Sequence, residues 1–117
     1  MISHVVLFRA KSSLSHDERE RLASAFEHAV QQIPTVRAVR VGRRVNVGAD
    51  YEQRSGESAD VFIAIDFDDM AGLSTYLEHP AHIELGERFN SAASTSLVFD
   101  FEVTQGTSGI LGFLQPE

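Results

Sequence analysis

Residues 76–82 read Tyr76-Leu77-Glu78-His79-Pro80-Ala81-His82, and this stretch settles how the second half of the chain is cut into elements. A proline ring fixes φ and removes a backbone donor, so it suits the first turn of a helix, where that donor has no partner anyway. Pro80 therefore marks N1 of a helix, His79 its N-cap and His82 its N3, while the helix before it stops at about Leu77. Two of the chain's five histidines thus lie three residues apart at a helix start.

Working outward, the helix opened by Pro80 is expected to turn Ile83, Gly86, Phe89 and Ala93 toward a core. A strand over 97–103 follows, with Leu97, Phe99, Phe101 and Val103 on one side. Upstream, Asp68-Asp69 can N-cap the short helix that ends near Leu77. Before it, residues 60–67 alternate as a strand, with Val61, Ile63, Ile65 and Phe67 on one face and Phe62 and Ala64 on the other. Residues 2–9 form another strand, with Ile2, His4, Val6 and Phe8 on one face. Ser15-His16-Asp17-Glu18 is a capping-box pattern that opens a helix to about Gln32. Its stripe is Leu22, Ala25, Phe26, Ala29, Val30 and Ile33, and Pro34 closes it. Residues 36–47 are extended, and the polar residues 48–59 read as a loop.

The order is βαββαβ. It implies an α+β, ferredoxin-like protomer: an antiparallel four-stranded sheet with helices on one face. The strands carry apolar residues on both faces, yet the chain offers nothing to cover the second one. The economical cover is a second copy, sheet against sheet, so a homodimer through the sheet faces is expected. Residues 1–104 make the domain. Residues 105–117 are a glycine-rich tail whose apolar segment 110–114 is expected to dock on the partner subunit.

Bulk composition limits the function. The chain has 117 residues, 43% hydrophobic and 23% charged, as in an ordinary single globular domain. No apolar run nears the ~20 residues that span a bilayer, so no membrane partner is expected. The N-terminus lacks the pattern of a signal peptide. No cysteine is present, which excludes disulfides and thiolate chemistry and fits a cytoplasmic protein. The formal net charge of −7 argues against a nucleic-acid partner. Arg37, Arg40, Arg43 and Arg44 are the only basic concentration; they read as a solvated edge strand or, alternatively, as a contact for an anion or acidic ligand.

With these segments placed, the chain resembles the stress-responsive A/B barrel family, the dimeric α/β-barrel (Dabb) domain. The matching residues are Met1-Ile2-Ser3-His4-Val5-Val6-Leu7-Phe8, Ile33-Pro34, Val41-Gly42, Phe67-Asp68-Asp69, the Tyr76 to His82 stretch and Val98-Phe99-Asp100-Phe101. The resemblance spans about residues 1–104. It implies a ferredoxin-like protomer whose sheet closes a barrel with that of its twin. The family's best-defined chemistry is that of plant olivetolic acid cyclase, an intramolecular aldol condensation needing neither metal nor organic cofactor. The functional residues of that enzyme resemble Tyr76, His82 and His4 here. A further histidine on its third strand has no counterpart, since this chain reads Asp60-Val61-Phe62.

The residues carry their own chemistry beside that resemblance. At N3, the positive helix end disfavours imidazolium at His82 and favours a neutral ring able to accept a proton. Such a ring suits a general base working next to a carbonyl. Tyr76 could donate to a developing enolate oxygen, and His4 could orient His82 or bond a substrate oxygen. The plainer alternative makes His79 and His82 helix caps and His4 a hydrogen-bonded histidine between sheet and helices. His79 is assigned to capping. His16 and His28 read as surface residues. A metal held by His79 and His82 lacks a supporting carboxylate motif, and the Asp66, Asp68, Asp69 run is explained by capping. No cofactor is implied. Three functions remain: a homodimeric binder of a small apolar or carbonyl-containing molecule, a cofactor-independent cyclase or lyase, or a purely structural stress oligomer. A roomy cavity exposing His82 favours the first two.

Overall fold

A computed structural model describes residues 1–56 and 59–115. The first strand, β1 (Ile2–Ala10), is central. It pairs antiparallel with β3 (Val61–Phe67) on one side and β4 (Ala93–Glu102) on the other. β2 (Ala38–Arg43) pairs antiparallel with β3, so the sheet order is β2-β3-β1-β4. This is the ferredoxin-like α+β arrangement the pattern implies.

Residues directly opposite in an antiparallel pair share a face. His4 stands opposite both Ile65 and Asp100, and Val6 opposite Ile63 and Val98. This face receives the helices. Its Val6, Phe8, Ile63, Ile65 and Phe67 join one buried cluster with Leu22, Ala29, Ile33, Leu73, Leu85 and Phe89. Phe8, Phe26 and Phe89 form its aromatic centre, with ring centroids 5.0 to 6.5 Å apart.

The opposite face carries Val5, Leu7, Phe62, Ala64, Leu97, Phe99 and Phe101, as the register requires. Leu97, Phe99 and Phe101 remain 43%, 49% and 49% exposed, so this apolar face is left open among the described residues.

The first helix, α1 (His16–Gln32), begins as the capping pattern requires: the Ser15 hydroxyl accepts from the Glu18 N–H at 3.1 Å. Asp69 caps α3 (Met70–Glu78) by accepting from the Gly72 N–H at 2.9 Å. Its neighbour Asp68 pairs with Arg37 at 2.8 Å. Gly72 brings α3 close to the sheet. A Cβ there would stand 3.4 Å from the Cβ atoms of both Phe67 and Thr35.

Several expectations change. The extended segment after α1 is regular only over Ala38–Arg43. The expected loop contains a short helix, α2 (Tyr51–Ser55). β4 starts at Ala93, four residues earlier, because its Ala93-Ser94-Thr95-Ser96 opening pairs with β1 despite being largely polar. Ala93 therefore leaves the helix. Ile83 is 53% exposed; the core face of α4 (Pro80–Ala92) is Ala81, Leu85, Phe89 and Ala92, another phase of the same helical period. The tail forms a helical turn, α5 (Ile110–Leu114), with none of its residues buried.

Candidate functional site

One residue separates α3 from α4. The backbone N–H of His79 donates to the Tyr76 carbonyl at 3.2 Å, closing α3. Its Nδ1 accepts from the Ala81 N–H at 3.0 Å, opening α4. His79 is therefore the cap assigned to it, and Pro80 opens the helix. The corner brings Tyr76, in the last turn of α3, against His82, in the first turn of α4, with ring centroids 4.6 Å apart.

His82 Nδ1 lies 3.2 Å from the Leu77 carbonyl oxygen. A carbonyl only accepts, so Nδ1 carries the hydrogen and Nε2 the lone pair. Burial pushes the His82 pKa below the usual imidazole value of 6.5, and His4 adds to this, against the opposing effect of the Leu77 hydrogen bond. A neutral ring with a basic Nε2 is the outcome at neutral pH.

Tyr76 is almost wholly buried. Its ring packs between Phe67, His4 and His82, at centroid distances of 5.2, 5.7 and 4.6 Å. Burial pushes its phenol up to about 12, so it stays protonated and can donate.

His4 is buried on β1, and its Nδ1 stands 2.6 Å from Asp100 Oδ1 on β4. The Asp100 carboxylate accepts from the Nδ1–H. Besides Asn90 and Ser96, which line the same site, sequence reasoning passed over Asp100. Its signal is the strand register, which sets it opposite His4 across 96 residues of sequence.

His4, Tyr76 and His82 line one cleft of about 300 Å³, walled by Val6, Phe89 and Val98. All three residues singled out by sequence thus meet. His16, whose Nε2 lies 2.9 Å from a Glu20 carboxylate oxygen, and His28 lie on the surface apart from it. Larger hollows lie elsewhere, and two of them exceed 500 Å³. One, about 550 Å³, is an open groove between α1 and α4 lined by charged side chains such as Glu20, Arg21 and Arg88. The other, about 510 Å³, is an apolar groove between α1 and the β2 edge. Neither gathers a second set of buried titratable groups. Among the described residues no three His, Asp or Glu side chains are arranged to hold a metal ion, and no helix is long and apolar enough to cross a membrane.

Comparison with known proteins agrees with this fold. Olivetolic acid cyclase from Cannabis sativa is 21% identical over 100 residues, which cover 86% of this chain and 94% of the cyclase. Among solved structures, the hydroxynitrile lyase from Passiflora edulis superposes with a TM-score of 0.75 at 15% identity, over 90% of this chain and 94% of the lyase. A dimeric ferredoxin-like protein of unknown function from Thermobifida fusca gives a TM-score of 0.67 at 20% identity, over 87% of this chain and 90% of that one. Likeness at these identities establishes the fold. The model of the Stress responsive A/B Barrel Domain matches residues 2–103, and the chain belongs to that family.

Proposed function

We propose that this chain forms a homodimer through its open sheet faces and binds a small apolar, carbonyl-containing molecule in the cleft between sheet and helices of each protomer. The observation that carries this is the convergence of His82, Tyr76 and His4 on one cleft. Each imidazole has its Nδ1 engaged with a fixed oxygen. A carbonyl oxygen entering there meets a protonated phenol as donor, and the apolar walls accept the rest of the molecule. The uncovered row Leu97, Phe99, Phe101 supports the pairing of sheets, as does the dimeric state of the Thermobifida fusca neighbour.

A second reading is favoured by the neutral His82. A cofactor-independent cyclase or lyase would use His82 Nε2 as general base to take a proton from the carbon next to a carbonyl. The electron pair left behind moves onto the carbonyl oxygen, where the Tyr76 hydroxyl donates to the enolate. The enolate carbon then attacks a second carbonyl of the same molecule, and the proton held on His82 returns to the new alkoxide. His4, fixed by Asp100, is placed to orient the substrate or His82. The similarity to a cyclase and a lyase is consistent with this reading. A purely structural oligomer has no use for a cleft built around three such side chains.

Both readings are tested by deuterium exchange at the α-carbon of a series of β-keto compounds, followed alongside binding. Wild type should bind and exchange, and His82→Ala should bind but exchange far more slowly. Binding with equal exchange rates removes the enzyme and leaves the binder. No saturable binding of any member removes both.

A further inference from the structure

We propose that α5 of each protomer seats in the apolar groove between α1 and β2 of the other copy. Ile110, Leu111, Phe113 and Leu114 are 52%, 71%, 54% and 76% exposed. A helix of five residues is far below the ~12–15 that are marginal alone in water, so it needs a surface to hold it. Its own copy supplies little, because none of the α5 residues is buried. The arm is nonetheless aimed. Gly106 takes a positive φ of 65°, which favours glycine. A Cβ at Gly109 would collide with Thr104 and press on Phe113.

The groove offers what the arm lacks. Leu22, Phe26 and Val30 of α1 face Val39 and Val41 of β2 and Val61 of β3 around about 510 Å³. Val41 is 72% exposed at the sheet edge. The groove in the same copy lies across the whole sheet from the arm, because β4 and β2 are opposite edges. In a sheet-on-sheet pair whose two-fold axis runs along the strands, β4 of one copy lies over β2 of the other. The arm then leaves beside the other copy's groove. The apolar row Leu97, Phe99, Phe101 runs to the end of β4, from which residues 103–109 lead into α5. This inference rests on the homodimer proposed above.

It also joins the interface to the site. Phe26 lines both the groove and the His82 cleft and stacks on Phe8. An arm in the groove would brace the Phe26 wall of that cleft, so each site would be complete only in the pair.

The absence of native cysteine gives a clean test. Val41→Cys on an untagged chain is mixed with Leu111→Cys on a tagged chain and oxidised. A second mixture pairs Val39→Cys with Leu114→Cys, and a control pairs Met70→Cys with tagged Leu111→Cys. A disulfide needs Cβ atoms about 3.5–4.5 Å apart, so only a seated arm links the groove to the tail. The expected result in at least one groove mixture is a shift from the 12.9 kDa chain to a mixed covalent dimer, absent from the control. An intrachain bond in the Val41→Cys, Leu111→Cys double variant, with no mixed dimer, overturns the exchange between copies. Absence of the mixed dimer from both mixtures, with two chains by sedimentation, overturns the arm and leaves the homodimer standing. A one-chain sedimentation mass removes the homodimer and the arm with it.

Discussion

Replacing Phe99 by alanine tests the paired sheets with a magnitude the structure supplies. Phe99 lies on the open face opposite Val5 and keeps 49% of its surface in water. A phenylalanine can bury ~200 Å², so about 100 Å² remains for a partner to cover. At ~25 cal/mol per Å² that is about 2.5 kcal/mol, of which alanine's own methyl recovers part, leaving roughly 1.5 kcal/mol per copy. Two-fold symmetry counts the change twice, for about 3 kcal/mol, or a dissociation constant raised on the order of a hundredfold. Sedimentation equilibrium over a concentration series measures it. Circular dichroism confirms that the variant is folded, and Met70→Ala, an exposed apolar residue of α3, serves as the control. A dissociation constant within about threefold of wild type would refute pairing through this face, since the area term alone is a hundredfold.

Four further outcomes follow from the site. If His82 is the base, the pH profile of α-carbon exchange should rise with a midpoint below 6.5, because burial lowers the folded pKa; a midpoint above 6.5 contradicts that role. The same shift means that the folded state binds fewer protons than the unfolded chain between the lowered folded pKa and 6.5. His82 should therefore cost stability as pH falls from 6.5 through the folded pKa, and His82→Gln should flatten that part of a urea-midpoint profile. Asp100→Ala leaves the buried Nδ1–H of His4 without its acceptor, at a cost of about 1 kcal/mol given the half-exposed carboxylate, readable in urea denaturation. An unchanged midpoint would mean that the contact does not hold His4. His79→Ala should lose about 1 kcal/mol with the α4 cap, and His79→Ser should recover most of it; equal stability of the two variants would deny the cap its role.

The fold was legible because local signals agreed with one another. Ser15 and Asp69 each cap a helix through a side chain, and β1 and β3 carry apolar residues on alternate faces in the way a doubly covered sheet requires. The corner at His79 could be read because proline chemistry leaves few choices at Pro80. What stayed hidden depends on pairing or on short elements. Asp100 looks like a polar alternate of an edge strand until the register sets it opposite His4. Ile83 is as apolar as Leu85, and only packing against α1 chooses between the two helical phases. Residues 51–55 and 110–114 are too short to show a period of 3.6. Tyr76 and His82 could be singled out as a pair, but their 4.6 Å approach comes from the tight corner, which no spacing rule records.

That corner has a consequence for how the chain can vary over time. With His79 closing one helix and opening the next, no slack separates Tyr76 from His82. One residue inserted at the junction would advance the following helix by about 100° and 1.5 Å, carrying the imidazole away from the phenol. A surface loop absorbs such a change; this junction has no way to do so. Residues 78–80 therefore act as a ruler, and descendants of this chain can exchange side chains at the site far more freely than they can change its length.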